Sequence, residues 1–311
     1  MGKAAKYVAL ASLVGFSTQS PALTILPTFT GSVDSTLQSS VSSAISTIGS
    51  IFTGTNITVN IDFQLMNTGL GASLSGRVTP SYSEFRTALA NTTTTSIGAL
   101  AVSHLPTSSN NPVLGGVESM SMTTANARAI GLNADPRKFV DGAFYDGIVY
   151  INTSAGSFDY VSVVEHEINE VLGLGSAMGA GTTALPNVTM PEDLYRYNAN
   201  GSRSFSLSSS ELAYFSVDGT VTSASPQFNQ DGAGDYGDWC SASPSSCTSF
   251  GYYVQNAYAT RSRTIPYGTP EINALEAIGY NIAAVPLPPA AYLLATAMLG
   301  LVIRGRRRET T

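Results

Sequence analysis

The feature that most constrains this chain is the segment of residues 161–176, which reads VSVVEHEINEVLGLGS. Its apolar residues recur at helical spacing around several charged ones, so we predict a largely buried helix over about residues 158–172. Residues four apart share one face of a helix, and His166 and Glu170 therefore project side by side. Gly173 follows, and glycine ends a helix at low cost because it adopts a left-handed conformation.

The ionisable residues of this helix are suited to a metal site. His166 and Glu170 stand close enough to hold one ion, and Glu167 lies one step round the helix, where it could take a proton from a water on that ion. Imidazole nitrogen and carboxylate oxygen are both accepted zinc ligands. A buried helix with three carboxylates and one imidazole needs a compensating cation. The alternative is a solvated helix face, on which the acids, Glu165 included, only raise the pKa of the histidine.

Several motifs in order carry a resemblance to known proteins. They are H-E-I-N-E-V-L-G from residue 166, D-L-Y-R-Y from residue 193, Y-F-S-V-D-G (214–219), F-N-Q (228–230), G-D-Y-G-D-W (234–239) and A-L-E-A-I-G-Y-N (274–281). Over about residues 55–283 the chain resembles a bacterial family of secreted zincin-like metalloproteases, whose helix varies the zinc-peptidase motif H-E-x-x-H. The resemblance implies an α+β fold: a zincin- or metzincin-like domain with a small mixed sheet, an active-site helix and a loop-rich C-terminal half.

The resemblance also implies a set of zinc ligands. In the metzincin pattern H-E-x-x-H-x-x-G-x-x-H, Glu170 and Ser176 of this chain stand where the second and third histidines would be. Serine is a poor zinc ligand, so the third ligand must come from elsewhere. The candidates by position are therefore His166, Glu170 and Asp193, with Glu192 as the alternative to Asp193.

The expected activity is that of a zinc-dependent metalloendopeptidase acting on protein or peptide substrates, with Glu167 as the general base. Tyr197 or Tyr195 would hydrogen-bond an oxyanion opposite the metal, or else simply pack in the core. The rival interpretation is a catalytically inactive surface or matrix protein with the same fold. The missing histidines favour the rival, whereas the intact Glu167 and Gly173 favour the enzyme.

Other segments give weaker predictions. We predict a helix within residues 31–53, strands at 57–66 and 146–152, and a polar surface excursion over 91–114 that contains His104. If the fold is metzincin-like, strand 146–152 is an edge strand that pairs with an extended substrate. The acids of DGAGDYGDW, which are Asp231, Asp235 and Asp238, could bind Ca²⁺, but their spacing favours a simple Gly/Asp turn.

The two ends of the chain indicate export. Residues 1–22 have two lysines, a short apolar run and small residues, which is typical of a signal peptide. Residues 284–311 contain V-P-L-P-P, an apolar run and an arginine cluster, and they resemble a PEP-CTERM sorting tail or otherwise form a plain tail anchor. That resemblance implies an exosortase as partner, transient membrane contact, and a final location at the bacterial surface or in the matrix. The mature domain would span residues 23–283.

Charge and cysteine content agree with an exported protein. Residues 1–22 and 286–311 hold six of the fifteen basic residues and one of the twenty-one acids, so the charge between them is −11 rather than −6. A chain this acidic is an unlikely partner for nucleic acid. Cys240 and Cys247 lie close together in sequence, and we predict a local disulfide between them.

Overall fold

A four-stranded mixed sheet lies against the helix that carries His166. The computed structural model describes residues 22–107, 119–139, 141–178, 189–241, 247 and 251–282. Its helices are α1 (Ser35–Ile51), α2 (Tyr82–Thr92), α3 (Ser96–His104), α4 (Thr124–Ala129), α5 (Tyr160–Leu172) and α6 (Thr269–Ala277). Its strands are β1 (Thr24–Phe29), β2 (Thr58–Leu65), β3 (Gly71–Ser75), β4 (Arg77–Val78), β5 (Met122–Thr123), β6 (Arg137–Lys138), β7 (Phe144–Tyr145), β8 (Gly147–Ile151), β9 (Arg196–Tyr197) and β10 (Tyr214–Phe215).

The main sheet has the strand order β1-β2-β8-β3. The first three strands are parallel, and β3 runs antiparallel to β8 at one edge. Helices α1 and α5 pack on each other, and α5 also packs on β3 and β8. A parallel strand needs apolar cover, and the side chains of Val59, Ile61, Phe63 and Val149 are fully buried. The fold is therefore α+β with a small mixed sheet, as the sequence predicted.

Strand β8 corrects one prediction. Residues 146–152 do form a strand, but β8 lies between β2 and β3, so it is a central strand and not the edge. Its sequence GIVYI is apolar at nearly every position, which is the pattern of a strand covered on both faces. The edge next to α5 is β3, whose sequence GASLS has no such pattern.

The first half of the chain differs from the prediction in two further places. The predicted excursion over residues 91–114 contains α3, which Thr95 caps by accepting a hydrogen bond from the backbone N–H of Gly98 at 3.1 Å. His104 is exposed at the end of this helix, as expected of a surface residue. Strand β1 was not predicted, although it pairs along its whole length with β2.

The second half is loop-rich, as predicted, and is organised around aromatic side chains. Phe215 contacts Tyr195, Phe228 and Trp239, with ring centroids 6.4 to 6.5 Å apart, and Trp239 contacts Tyr253 at 5.4 Å. The predicted disulfide joins Cys240 to Cys247. One buried cluster runs from Leu23 to Tyr280, so both halves contribute to the same core.

The predictions for the two chain ends fall outside the described residues. This applies to the signal peptide, of which only the last residue is described, and to the sorting tail. Across the described ranges, the helices are all too short or too polar to cross a membrane.

Candidate metal centre

Local sequence signals fix the helix that carries the centre. The side chain of Asp159 caps the start of α5 by accepting from the backbone N–H of Ser162. Gly173 ends the helix with a φ of 120°, a conformation that L side chains rarely adopt. Between these ends the apolar face of α5 is buried, including Val164 and Ile168. The helix is therefore held firmly at both ends and along one side.

His166 is oriented by a backbone carbonyl. Its Nδ1 lies 3.0 Å from the carbonyl oxygen of Val254, which can only accept a hydrogen bond. Nδ1 therefore carries a proton, and Nε2 is the nitrogen available to an ion. Nε2 lies 3.6 Å from Oε1 of Glu170 and 3.6 Å from Oδ1 of Asp238. One imidazole nitrogen thus faces two carboxylates from different parts of the chain.

Two groups of potential metal ligands meet at Glu170. In each group, one ligand atom per residue lies within 4.8 Å of the others. Ser73 on the edge strand donates to Oε2 of Glu170 at 2.6 Å, which leaves Oε1 directed toward His166. The described residues therefore include acid and histidine groups that could hold a metal ion. The groups are His166, Glu167 and Glu170, and Glu170, Asp235 and Asp238.

Glu167 is packed tightly under the edge strand. A Cβ at Gly71 would collide with Oε1 of Glu167, so only glycine leaves room for this carboxylate. Its other oxygen, Oε2, is buried and has no hydrogen-bond partner among the described residues. Burial, followed by the nearby Glu170, raises the pKa of Glu167 well above its usual value. Without a nearby cation, the carboxyl group of Glu167 therefore favours its protonated form.

Burial and mutual repulsion shape the other charges. Burial raises the pKa of Asp238 to about 8, although His166 opposes that shift. Burial alone would lower the pKa of His166, but Asp238 and Glu170 outweigh it and raise that pKa well above the usual value. Three ionised carboxylates against one imidazole would leave an excess of negative charge, which either protonation of the acids or a bound divalent cation would offset.

A buried relay of hydrogen bonds holds Asp238. Tyr267 donates from its hydroxyl to Oδ1 of Asn169 at 2.7 Å, and Nδ2 of Asn169 donates to Oε1 of Gln255 at 3.2 Å. Nε2 of Gln255 then donates to Oδ1 of Asp238 at 3.1 Å. Glu271 fixes the same segment, since its Oε1 accepts from the backbone N–H groups of residues 254 and 255.

Asp193, expected as the third ligand, belongs to neither group. Its Oδ1 accepts from the hydroxyl of Ser176, and its Oδ2 accepts from the backbone N–H groups of Ala177 and Met190. The alternative, Glu192, accepts from the backbone N–H of Gly175. Both acids therefore fasten the turn after α5. The carboxylate that faces His166 is that of Asp238. The structure thus places Asp238, and not the predicted Asp193, beside His166 and Glu170.

The predicted tyrosines also lie away from the centre. Tyr195 is fully buried and donates to the carbonyl of Ala277 at 2.9 Å. Tyr197 packs under the guanidinium of Arg203, 5.1 Å from the ring centroid, and is not among the residues that line the cleft. Both are packing residues, which was the alternative interpretation. The tyrosines that line the cleft are Tyr236, Tyr253 and Tyr258.

The centre opens into a cleft of about 950 Å³. Its lining includes residues 67–73, from the edge strand and the preceding loop, and residues from segments 232–238 and 253–261. His166, Glu167 and Glu170 line it together with Asp238. The sequence offered one signal for Asp238, the GDYGDW motif, but its spacing indicated only a turn.

Comparisons of the chain with protein-family models, with curated proteins and with solved structures found no match.

Proposed function

We propose that this protein is a zinc-dependent metalloendopeptidase of the zincin-like type. The observation that carries the proposal is the position of Nε2 of His166, 3.6 Å from a carboxylate oxygen of both Glu170 and Asp238, with Nδ1 anchored on a carbonyl. The unpaired Oε2 of Glu167 lies beside this group. Imidazole nitrogen and carboxylate oxygen are both accepted zinc ligands, and the neighbouring Glu167 could serve as the base.

Two of the three separations among the proposed ligand atoms suit zinc. Ligand atoms about 2.0–2.1 Å from a tetrahedral zinc stand about 3.3–3.4 Å apart, close to the 3.6 Å from Nε2 of His166 to each carboxylate. One imidazole with two carboxylates also suits zinc better than calcium, which takes oxygen ligands. His166, Glu170 and Asp238 would hold the ion, with one position left for water.

Peptide hydrolysis adds one water across the C–N bond. Zinc, when bound, would lower the pKa of its bound water and polarise the substrate carbonyl. Glu167 would take one proton from the water as the water oxygen bonds to the carbonyl carbon of the substrate. As the C–N bond breaks, Glu167 returns that proton to the amine nitrogen, which leaves an acid and an amine.

The edge strand supplies a place for an extended peptide. The backbones of Leu70 and Gly76 hydrogen-bond to the residues on either side of β8, Asn152 and Asp146. The alternation of an antiparallel strand therefore leaves the N–H and C=O groups of residues 71, 73 and 75 pointing away from the sheet. A substrate strand could pair with them by β-augmentation beside Glu167. We therefore propose for β3 the substrate-pairing role that was predicted for residues 146–152.

Export remains part of the proposal. The signal-peptide pattern, the PEP-CTERM-like tail and the resemblance to secreted zincin-like metalloproteases support it, and a disulfide is typical of exported proteins. An exosortase would process the tail after transient membrane contact, and the protein would reach the cell surface or matrix.

The test is cleavage of a mixed peptide library by the purified protein, read by mass spectrometry. We expect cleavage with zinc, loss with chelator and recovery on adding zinc back. Glu167→Gln should keep zinc but lose cleavage, whereas His166→Ala should lose both. Glu165→Gln is the matched control, because Glu165 lies on the same helix, is buried, and has a pKa of about 8 owing to burial.

The rival function is that of a catalytically inactive surface or matrix protein, which the two missing histidines favour. Bound zinc without cleavage of any peptide would support this rival. Cleavage retained by Glu167→Gln would contradict the role of Glu167.

A further inference from the structure

The cleft is acidic but contains one cationic side chain among its described lining residues. Asp159, Glu167, Glu170, Asp235 and Asp238 all line it, whereas Arg261 is the single arginine or lysine among its described lining residues. No hydrogen bond or ion pair joins the guanidinium of Arg261 to another residue in the described part of the chain. The nearby Asp159 uses its oxygens for the backbone N–H groups of Ser162 and Ile265. The guanidinium of Arg261 therefore keeps its donors for a ligand.

Arg261 is held in place without using those donors. Its guanidinium carbon lies 4.5 Å from the ring centroid of Phe158, a cation–π contact that leaves the edge of the fork free. The next residue, Ser262, has a φ of 53°, in the left-handed region that non-glycine residues seldom occupy. Its N–H donates to the carbonyl of Ser157 at 2.8 Å, which ties this loop to the start of α5. On either side of this strained residue the two arginines contact different surroundings. Arg261 lines the cleft, whereas Arg263 stacks on the ring of Tyr252.

The position of Arg261 along the cleft indicates on which side of the cleaved peptide bond it would contact a substrate. Phe158 lies two residues before the first residue of α5, Tyr160, which precedes His166 by about 9 Å along the helix axis, so Phe158 lies roughly 10–15 Å from His166. Gly71 packs on Glu167 and Ser73 on Glu170, so β3 runs in the same direction as α5. A substrate antiparallel to β3 would therefore extend its C-terminal side toward Arg261. At about 3.3 Å per residue, Arg261 would lie three to four residues beyond the cut.

We propose that Arg261 anchors a substrate carboxylate three to four residues C-terminal to the cleaved bond. The carboxylate is either an Asp or Glu side chain or the C-terminal carboxylate of the peptide, and both match the planar fork of arginine. The inference rests on the proposed function, and it adds a substrate preference: peptides with an acid on that side. The excess of acids elsewhere in the cleft disfavours carboxylates at other positions.

The experiment starts from one peptide that the wild-type protein cleaves. From it we would make peptides with Glu or Gln at each of the positions two to five after the cut, each with a free or amidated C-terminus. Values of kcat/KM would be measured for wild type, Arg261→Gln and Arg263→Gln. Binding of the same peptides to the Glu167→Gln protein, with and without Arg261→Gln, would be followed by fluorescence anisotropy. Arg263 is the matched control, since it stacks on an aromatic ring but does not line the cleft.

We expect the wild type to prefer Glu to Gln, or a free to an amidated C-terminus, by about tenfold at the third or fourth position. Arg261→Gln should abolish the preference and Arg263→Gln should keep it. The Glu and C-terminus series separate the two sources of carboxylate. A preference unchanged in Arg261→Gln, or one confined to the N-terminal side of the cut, would overturn the inference and leave the proposed function intact. If the wild-type protein cleaves no peptide of the library, the binding series alone is run with a library peptide that has Glu and a free C-terminus. Absence of both cleavage and binding for every peptide would overturn the inference and the proposed function together.

Discussion

Gln255 donates a hydrogen bond from its side-chain amide to Oδ1 of Asp238 at 3.1 Å. The same amide accepts from Asn169, which lies on α5 between the two ligand positions His166 and Glu170. The helix that carries two proposed ligands is thus connected through buried side chains to the loop that carries the third. Partners of this kind orient ligands and strongly affect metal affinity.

Removing that connection should weaken zinc binding. We expect Gln255→Leu to raise the Kd for zinc by about 10- to 100-fold, because Asp238 loses its orienting donor. Tyr267→Phe removes only the first donor of the relay and should have a smaller effect. Competition with a chromophoric chelator measures both. An unchanged Kd in Gln255→Leu would show that the relay is structural only.

Two aspartates should respond differently to the same change. Asp238→Asn should lose zinc, because an amide is a poor zinc ligand. Asp193→Asn should keep zinc but lower the free energy of unfolding by about 1–3 kcal/mol, because Asp193 accepts three hydrogen bonds around the turn after α5. Metal analysis and urea unfolding of both variants test this. Loss of zinc in Asp193→Asn alone would restore the assignment made from sequence.

The space under the edge strand should be essential to catalysis. In Gly71→Ala the new methyl group would collide with Oε1 of Glu167. The methyl group has no free space beside it, because Cγ1 of Val163 lies 3.1 Å from its position, so the Glu167 side chain would be displaced. We expect zinc content to be unchanged and kcat/KM to fall by about 100-fold, since small displacements of catalytic groups cost that much. Leu74→Ala, on the exposed face of the same strand, is the control. Full activity in Gly71→Ala would contradict the role of Glu167.

Glu271 should make stability depend on pH. Burial raises its pKa to about 7 from the usual 4.5. Between pH 4.5 and pH 7 the folded protein therefore binds more protons than the unfolded chain. The contribution of protonated Glu271 to the free energy of unfolding is complete below about pH 4.5 and is lost as the pH rises through 7. The stability of wild type relative to Glu271→Gln should fall by roughly 3 kcal/mol between pH 4 and pH 8. Urea unfolding across this range measures the difference, and a difference that is flat or rises would contradict it.

The local parts of the fold could be predicted from the sequence. Helix α5 has a capping aspartate, an apolar face and a terminal glycine within one short segment, and these signals act over a few residues. The pairing of His166 with Glu170 follows from helical geometry alone. For the same reason Glu167 could be identified as a member of the centre.

The long-range parts could not be predicted in this way. Asp238 reaches His166 only because backbone hydrogen bonds from Trp239 to residues 255 and 257, and the buried aromatic cluster, fold the second half over the helix. Spacing along the chain favoured Asp193, which the structure uses to fasten a nearby turn. Sequence separation says little about distance once a loop-rich segment intervenes.

The most direct test of the proposed zinc site is the zinc content of the purified protein after reconstitution at neutral pH, measured by mass spectrometry beside His166→Ala and Asp238→Asn. We predict about one zinc per chain in the wild type and little in either variant, with all three proteins folded by circular dichroism. A folded wild-type protein that binds no zinc would contradict it, and the cluster around His166 would then be a set of protonated acids in the core.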